Sequence, residues 1–185
     1  MTRIICIAGS LRRGSFNGAL LRAAAALAPD GVMLEIASIR DIPLYDGDQE
    51  AADGIPPPVI ALKERIASAD GLLISTPEYN NSMPGVLKNT IDWLSRPAAD
   101  IPRVFGNRPV AIIGASPGGF GTILAQDAWL PVLRTLGTRP WFGGRLMVSR
   151  AAGMFSESGE LTDDAVRTQL RRFISGFAAS IHAQA

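Results

Sequence analysis

Residues 3–17 read RIICIAGSLRRGSFN, and the stretch GALLRAAAALA follows at 18–28. The opening run is almost wholly apolar, as a strand buried on both faces of a parallel sheet should be. The loop GSLRRGSFN (9–17) thus joins the carboxyl end of a buried strand to the start of a helix over 16–28. At such a junction, unpaired backbone N–H groups and the helix dipole favour a bound anion. Ser10, Ser15 and Asn17 add neutral donors and Arg12 a positive charge, so the loop reads as a phosphate site. The plainer alternative is a helix N-cap by Ser15 beside solvated arginines.

Spacing narrows the phosphate's owner. Gly9 and Gly14 match the glycines of a GxxxxGK[ST] loop, but Ser15 stands where that loop needs its lysine, which argues against a nucleoside triphosphatase. GSLRRG also lacks the GxGxxG pattern that lets a pyrophosphate approach the backbone. A terminal monophosphate among hydroxyl and amide donors fits better.

Working outward, the same strand–loop–helix alternation recurs. Further strands are expected at 32–38, 71–76, 109–115 and within 140–149, and helices at 59–69, 85–95, 122–137 and 161–181. Pro131 is expected to kink or divide the fourth of the five helices. Alternating units of this kind predict a single α/β domain over 1–185, flavodoxin-like, with a five-stranded parallel sheet in the order 2-1-3-4-5 and helices on both faces.

Composition removes several function classes. Eighteen basic and seventeen acidic residues leave a net charge of +1, so no whole-molecule field recruits nucleic acid or an anionic membrane. No apolar run approaches the length of a bilayer span, and the first apolar run is too short for a signal peptide, so the protein is expected in the cytoplasm. The lone Cys6 sits in a strand pattern and reads as a buried thiol, and no Cys/His cluster suggests a metal. His182, near the end of the last helix, reads as a surface residue on a fraying turn.

In a doubly wound sheet, ligands bind outside the carboxyl ends of the strands. The loops there, after strands one, three and four, are all dense in Gly, Ser, Asn or Pro. The second, PEYNNSMPG (77–85), offers the flat face of Tyr79 and the amides of Asn80 and Asn81. The third, SPGGFG (116–121), has glycines that let backbone approach a planar ligand. Together the three loops suit a phosphate at one end and an isoalloxazine ring at the other. Either of the last two taken alone reads equally as an ordinary turn.

The segments GSLRRGSFN, TPEYNNSMPGVLKNTIDWLSR and GASPGGFG resemble those of the NADPH-dependent FMN reductase family, which includes quinone, chromate and azo-dye reductases, over about residues 3–150. The resemblance implies non-covalent FMN, with Ser10, Arg12, Ser15, Phe16 and Asn17 serving its phosphate. It implies that Pro77, Glu78, Tyr79, Asn80, Asn81, Ser116, Gly118 and Gly119 border the ring, Glu78 through its backbone N–H. A homodimer is implied through the helix after PEYN, containing Lys88, Asp92 and Trp93, with a homotetramer as the alternative. Trp129 and Trp141 depart from the Tyr or Arg and the acidic residue that link subunits in many members.

Flavin carries the hydride chemistry, so no side chain is assigned an acid–base role. The expected cycle is ping-pong: NADPH or NADH reduces the flavin and leaves, and a small-molecule acceptor (quinone, free flavin, chromate or azo compound) takes its place. Arg12, Arg13 and Arg108 are candidates for the 2′-phosphate of NADPH. A phosphate enclosed by Ser10, Ser15 and Asn17 leaves no exit for an attached AMP, which favours FMN over FAD. The rivals are a flavodoxin-like carrier without nicotinamide-oxidising activity, which the balanced charge disfavours, and a non-catalytic nucleotide-sensing module.

Overall fold

The opening run forms an interior strand of the sheet. In the computed structural model, which describes residues 1–183, β1 (Thr2–Ala8) is flanked by parallel neighbours on both edges, Cys6 lying opposite Ile36 and Leu73. Ile4, Ile5, Cys6 and Ile7 are wholly buried, the consequence of a strand covered on both faces. Burial pushes the Cys6 thiol up to about 12, so it stays protonated and unreactive.

Along the chain β1 is followed by α1 (Phe16–Ala26), β2 (Val32–Ala37), α2 (Gly47–Asp53), α3 (Pro57–Ala67), β3 (Gly71–Ser75) and α4 (Gly85–Leu94). Then come α5 (Ile101–Val104), β4 (Pro109–Ala115), α6 (Ile123–Thr135), β5 (Arg139–Pro140), β6 (Met147–Val148) and α7 (Asp164–His182). The strands are parallel in the order β2-β1-β3-β4-β5, with β6 also pairing β4, which is the predicted flavodoxin-like topology. One face is packed by α1 and α7 through Leu20, Leu21, Phe173 and Phe177. The other is packed by α3, α4 and α6 through Leu62, Ile66, Leu87, Ile91 and Trp129.

Three expectations need correction. The fifth strand is two short pieces, β5 and β6, separated where the chain leaves the sheet. Trp141 packs edge-on against Phe173 at 4.9 Å, and Gly143 and Gly144 fold over its indole so closely that a Cβ on either would lie 2.7–2.9 Å from ring atoms. A bare backbone laid on that ring cannot also continue the strand. Of the two outcomes expected at Pro131, division does not occur, since α6 runs past it as one helix. The end of α7 is tied rather than frayed, because His182 Nε2 lies 2.7 Å from Thr2 Oγ1. In addition, α2 falls within the stretch read as a loop: Asp46 caps it by accepting from Asp48 N–H at 2.9 Å, but none of its residues is buried, so no apolar period marks it.

Candidate functional site

The three loops meet at the carboxyl edge of the sheet. Gly9, at the end of β1, donates its N–H to Ser75 O at 2.9 Å. A Cβ on Gly9 would lie 2.8 Å from Leu87 Cδ2 and 2.9 Å from Pro77 Cδ, so the first loop presses against the second with no room for a side chain. Glycine is required there by close approach rather than by φ. Arg40 fastens the other side of the loop, donating from Nη2 to Leu11 O.

At the start of α1, Ser15 is the N-cap: its Oγ accepts from Gly18 N–H at 3.2 Å. The cap and the phosphate roles are compatible, because a capping hydroxyl accepts and still has its proton to donate. The first-turn N–H groups of Phe16 and Asn17 have no intrahelical acceptor, as at any helix start. Ser10 is half-buried, with its Oγ 3.4 Å from Arg12 N, and Arg12 is exposed. The Phe16 ring packs on Phe155 at 5.7 Å, so its side chain shapes the wall of the loop.

The Asn17 side chain points inward. It is 3 % exposed; its Nδ2 donates to Ala115 O at 2.9 Å, and its Oδ1 accepts from Ala115 N at 3.0 Å and from Ser75 Oγ at 3.0 Å. This amide fastens the ends of β3 and β4 to α1, so what Asn17 offers an anion at the loop is its backbone N–H. A cavity of about 370 Å³ lies against Arg13, Gly14 and Ser15.

In the second loop, Tyr79 and Ser82 exchange backbone hydrogen bonds of 3.1 and 3.0 Å around Asn80 and Asn81, whose φ values are 50° and 59°. Positive φ at both central residues suits a tight hairpin turn, and asparagine tolerates it better than most side chains. Tyr79 is half-exposed and both asparagines are exposed, available to a ligand at the edge. Pro77 is buried behind them, its carbonyl accepting from Thr76 Oγ1 at 2.9 Å.

The Glu78 side chain has a role that sequence reading missed. Its Oε2 accepts from Leu124 N–H at 2.9 Å and Ala125 N–H at 3.1 Å. These are first-turn groups of α6, whose own N-cap residue, Thr122, makes no capping bond and takes φ 73°. Glu78 therefore supplies the missing cap and ties the second loop to the helix that follows the third. No local signal reveals it, since donors and acceptor are 46 and 47 residues apart.

In the third loop, Ser116 is buried and exchanges backbone bonds with the following segment, its N–H to Val148 O and its C=O from Ala151 N–H, both at 3.0 Å. A Cβ on Gly118 or Gly119 would meet no protein atom within 4 Å, so the loop presents bare backbone beside unfilled space. Gly121 differs: at φ 59° its Cβ would meet Met147 backbone at 2.7 Å, which makes it a packing glycine.

Other expected residues lie apart from the site. Arg108 precedes β4, at the opposite edge of the sheet, and donates to the carbonyls of Val104, Ala69, Ala67 and Arg103, so it is no candidate for a nicotinamide phosphate. Trp93 is fully buried and donates from Nε1 to Pro43 O at 3.0 Å, so it faces its own core rather than a partner. Trp129 is likewise internal, donating to Thr76 Oγ1 at 3.1 Å. Lys88 and Asp92 form an exposed i, i+4 ion pair at 2.8 Å.

A doubly wound sheet with a capped helix start after its first strand and two further loops at its carboxyl edge has the architecture of the flavodoxin-like folds. Comparison with known proteins carries this further. The chain belongs to the NADPH-dependent FMN reductase family, whose profile matches residues 2–153. It is 45% identical over 170 residues to an NAD(P)H-dependent FMN reductase of Pseudomonas aeruginosa, covering 92% of this chain and 90% of that one. It is 40% identical to a 2-hydroxy-1,4-benzoquinone reductase of a Burkholderia species, covering 96% and 94%. Among solved structures, the flavoenzyme NAD(P)H:(acceptor) oxidoreductase of Paracoccus denitrificans superposes with a TM-score of 0.86 at 33% identity, covering 98% and 97%. The protein is thus an oxidoreductase whose cofactor is FMN and whose reductant is NAD(P)H.

Proposed function

We propose that the three loops hold one FMN, and that the protein uses it to move electrons from NAD(P)H to a small quinone. The observation that carries this reading is the continuity of the surface. The first loop abuts the second at Gly9, and Glu78 ties the second to the helix after the third. A phosphate anchor and a ring-sized opening are thereby fixed relative to one another, as positioning a cofactor requires.

Bound FMN would supply the chemistry, accepting hydride from the nicotinamide and passing its electrons to the acceptor. What this chain contributes is placement. Ser15 Oγ–H, the N–H groups of Phe16 and Asn17, and Arg12 neutralise and orient the phosphate, with Ser10 beside them. Tyr79 lends apolar area to the ring, the Asn80 and Asn81 amides meet its polar edge, and Gly118 and Gly119 admit the ring against bare backbone. Pro77, Glu78 and Ser116 hold those groups in place. A single open face then serves the nicotinamide and the acceptor in turn. The quinone is favoured over chromate or an azo compound because relatives covered almost end to end are named for quinones. The reading extends to a cytoplasmic enzyme, consistent with there being no helix among the described residues long and apolar enough to cross a membrane.

Steady-state oxidation of NADPH and NADH, measured with a benzoquinone, free flavin, chromate and an azo dye, tests this reading. Turnover highest with the benzoquinone is the expected result. Bound FMN that neither nicotinamide reduces would leave the electron-carrier alternative standing instead.

A further inference from the structure

Three large apolar side chains at the carboxyl edge belong neither to the core nor to the groups that hold the flavin. Phe120, in the third loop, is 69% exposed, and Ile123 and Leu124, in the first turn of α6, are 42% and 40% exposed. Single apolar residues scattered over a surface are ordinary, but several side by side at a ligand opening mark a place where something apolar binds.

The backbone makes them neighbours. Ile123 donates its N–H to Phe120 O at 3.2 Å, and Leu124 donates its N–H to Glu78 Oε2 at 2.9 Å, one residue from the half-exposed Tyr79. The Glu78 cap therefore does more than join two loops: it lines up Tyr79, Leu124, Ile123 and Phe120 as one lip of the opening. Phe120 directly follows Gly119, where a Cβ would meet no protein atom within 4 Å, so the lip borders the same unfilled space. Charge along it is spent or negative. The Glu78 carboxylate is occupied by two N–H groups, residues 77–87 and 116–133 contain no Lys or Arg, and Asp127, one turn beyond Ile123, is exposed. Arg150 meets the third loop through its backbone N–H, at Gly118 O. Such a surface offers an oxyanion little and gives an uncharged apolar group contact area.

We propose that this lip selects the acceptor, with Phe120 as its specificity-determining residue, and that the acceptor it favours is a neutral quinone bearing an apolar substituent. The inference rests on the reading of the three loops as the flavin site. The substituent, not the reacting ring, meets Phe120, Ile123 and Leu124. The quinone takes a hydride from reduced flavin and a proton from water, leaving oxidised flavin and a hydroquinone, so the lip adds no step and acts on binding alone.

Binding to the oxidised, FMN-loaded protein, where no electrons move, tests this apart from turnover. Titration calorimetry compares trimethyl-p-benzoquinone with the same ring carrying a butyl group, in the parent and in Phe120→Ser. Each methylene fully withdrawn from water is worth about fourfold in affinity, so the butyl compound should bind the parent about tenfold or more tightly. Phe120→Ser, at an exposed loop position, should keep FMN within about twofold of the parent and cut the preference for the butyl compound to about threefold or less. A parent that holds FMN but shows no such preference overturns the proposal, as does an undiminished preference in Phe120→Ser. Loss of FMN in Phe120→Ser also overturns it, since the side chain would then serve the cofactor or the loop. A parent that holds no FMN overturns the flavin reading itself, and this inference falls with it.

Discussion

At Asn80 and Asn81 the positive φ values make two properties inseparable in an alanine variant: Asn80→Ala removes an amide and also strains the turn by about 1 kcal/mol. Asn80→Gly separates them, because glycine adopts the turn at no steric cost. If the amide meets the ring edge, Asn80→Gly lowers FMN affinity several-fold to tenfold, one net hydrogen bond, without lowering the unfolding temperature of the apo-protein by more than a degree or so. Tyr79→Ala, at a side chain already 46% exposed, should release FMN more readily and leave the fold unchanged. Flavin fluorescence quenching measured beside thermal unfolding checks both. Glu78 behaves differently, since its carboxylate caps α6. Glu78→Ala should cost about 1–2 kcal/mol of stability and loosen FMN, and Glu78→Gln, which keeps an acceptor oxygen, should recover much of both. An equal effect of the two substitutions would mean that the cap does not tie the loops.

At the scale of elements, Asn17 is the joint where α1 meets the ends of β3 and β4. Truncating it to Ala leaves Ala115 N–H, Ala115 O and Ser75 Oγ–H short of partners in a buried place, so Asn17→Ala should lower stability by about 2–3 kcal/mol in denaturant unfolding. A flavin-binding defect without that loss would return its side chain to the phosphate. Sequence alone identified the helix bearing Asn17 and the loop before it, because a buried strand, a polar loop and a helical period are local patterns. Which way the amide points was not legible, since its partners lie 58 and 98 residues away. The same division runs through the molecule. β1, β2, β3 and β4 and the five principal helices announce themselves by apolar period. The break between β5 and β6 depends on Gly143 and Gly144 lying on Trp141, α2 has a cap but no buried face, and the Glu78 cap joins two distant loops.

For the molecule as a whole, the edge of the sheet carries an ionic link that sets acid sensitivity. Glu35 on β2 is held by Arg3 Nε of β1 at 2.8 Å and by Arg65 Nε of α3 at 2.7 Å. The hydrogen bond from Arg3 first, and then that from Arg65, hold its carboxyl below the usual glutamate range. A carboxyl whose folded value is depressed contributes stability in full above its unfolded value, and that contribution is lost as pH falls through the folded one. Between about pH 7 and pH 3 the parent should therefore lose more unfolding temperature than Glu35→Gln, which has no such titration. Because the group is partly exposed, the difference is modest.

The central claim is that residues 9–17 anchor a flavin phosphate at the start of α1, and Ser15→Asp tests it most directly. Aspartate caps a helix as well as serine does, so the fold should be kept, with the apo-protein unfolding at nearly the parent temperature. A carboxylate in place of that hydroxyl, however, faces the phosphate with like charge and no proton to donate. FMN titration of parent and variant, each first shown to be folded, should give one FMN per parent chain and at least about tenfold weaker binding in Ser15→Asp. A folded Ser15→Asp that binds FMN as tightly as the parent would contradict the assignment of the phosphate to this loop.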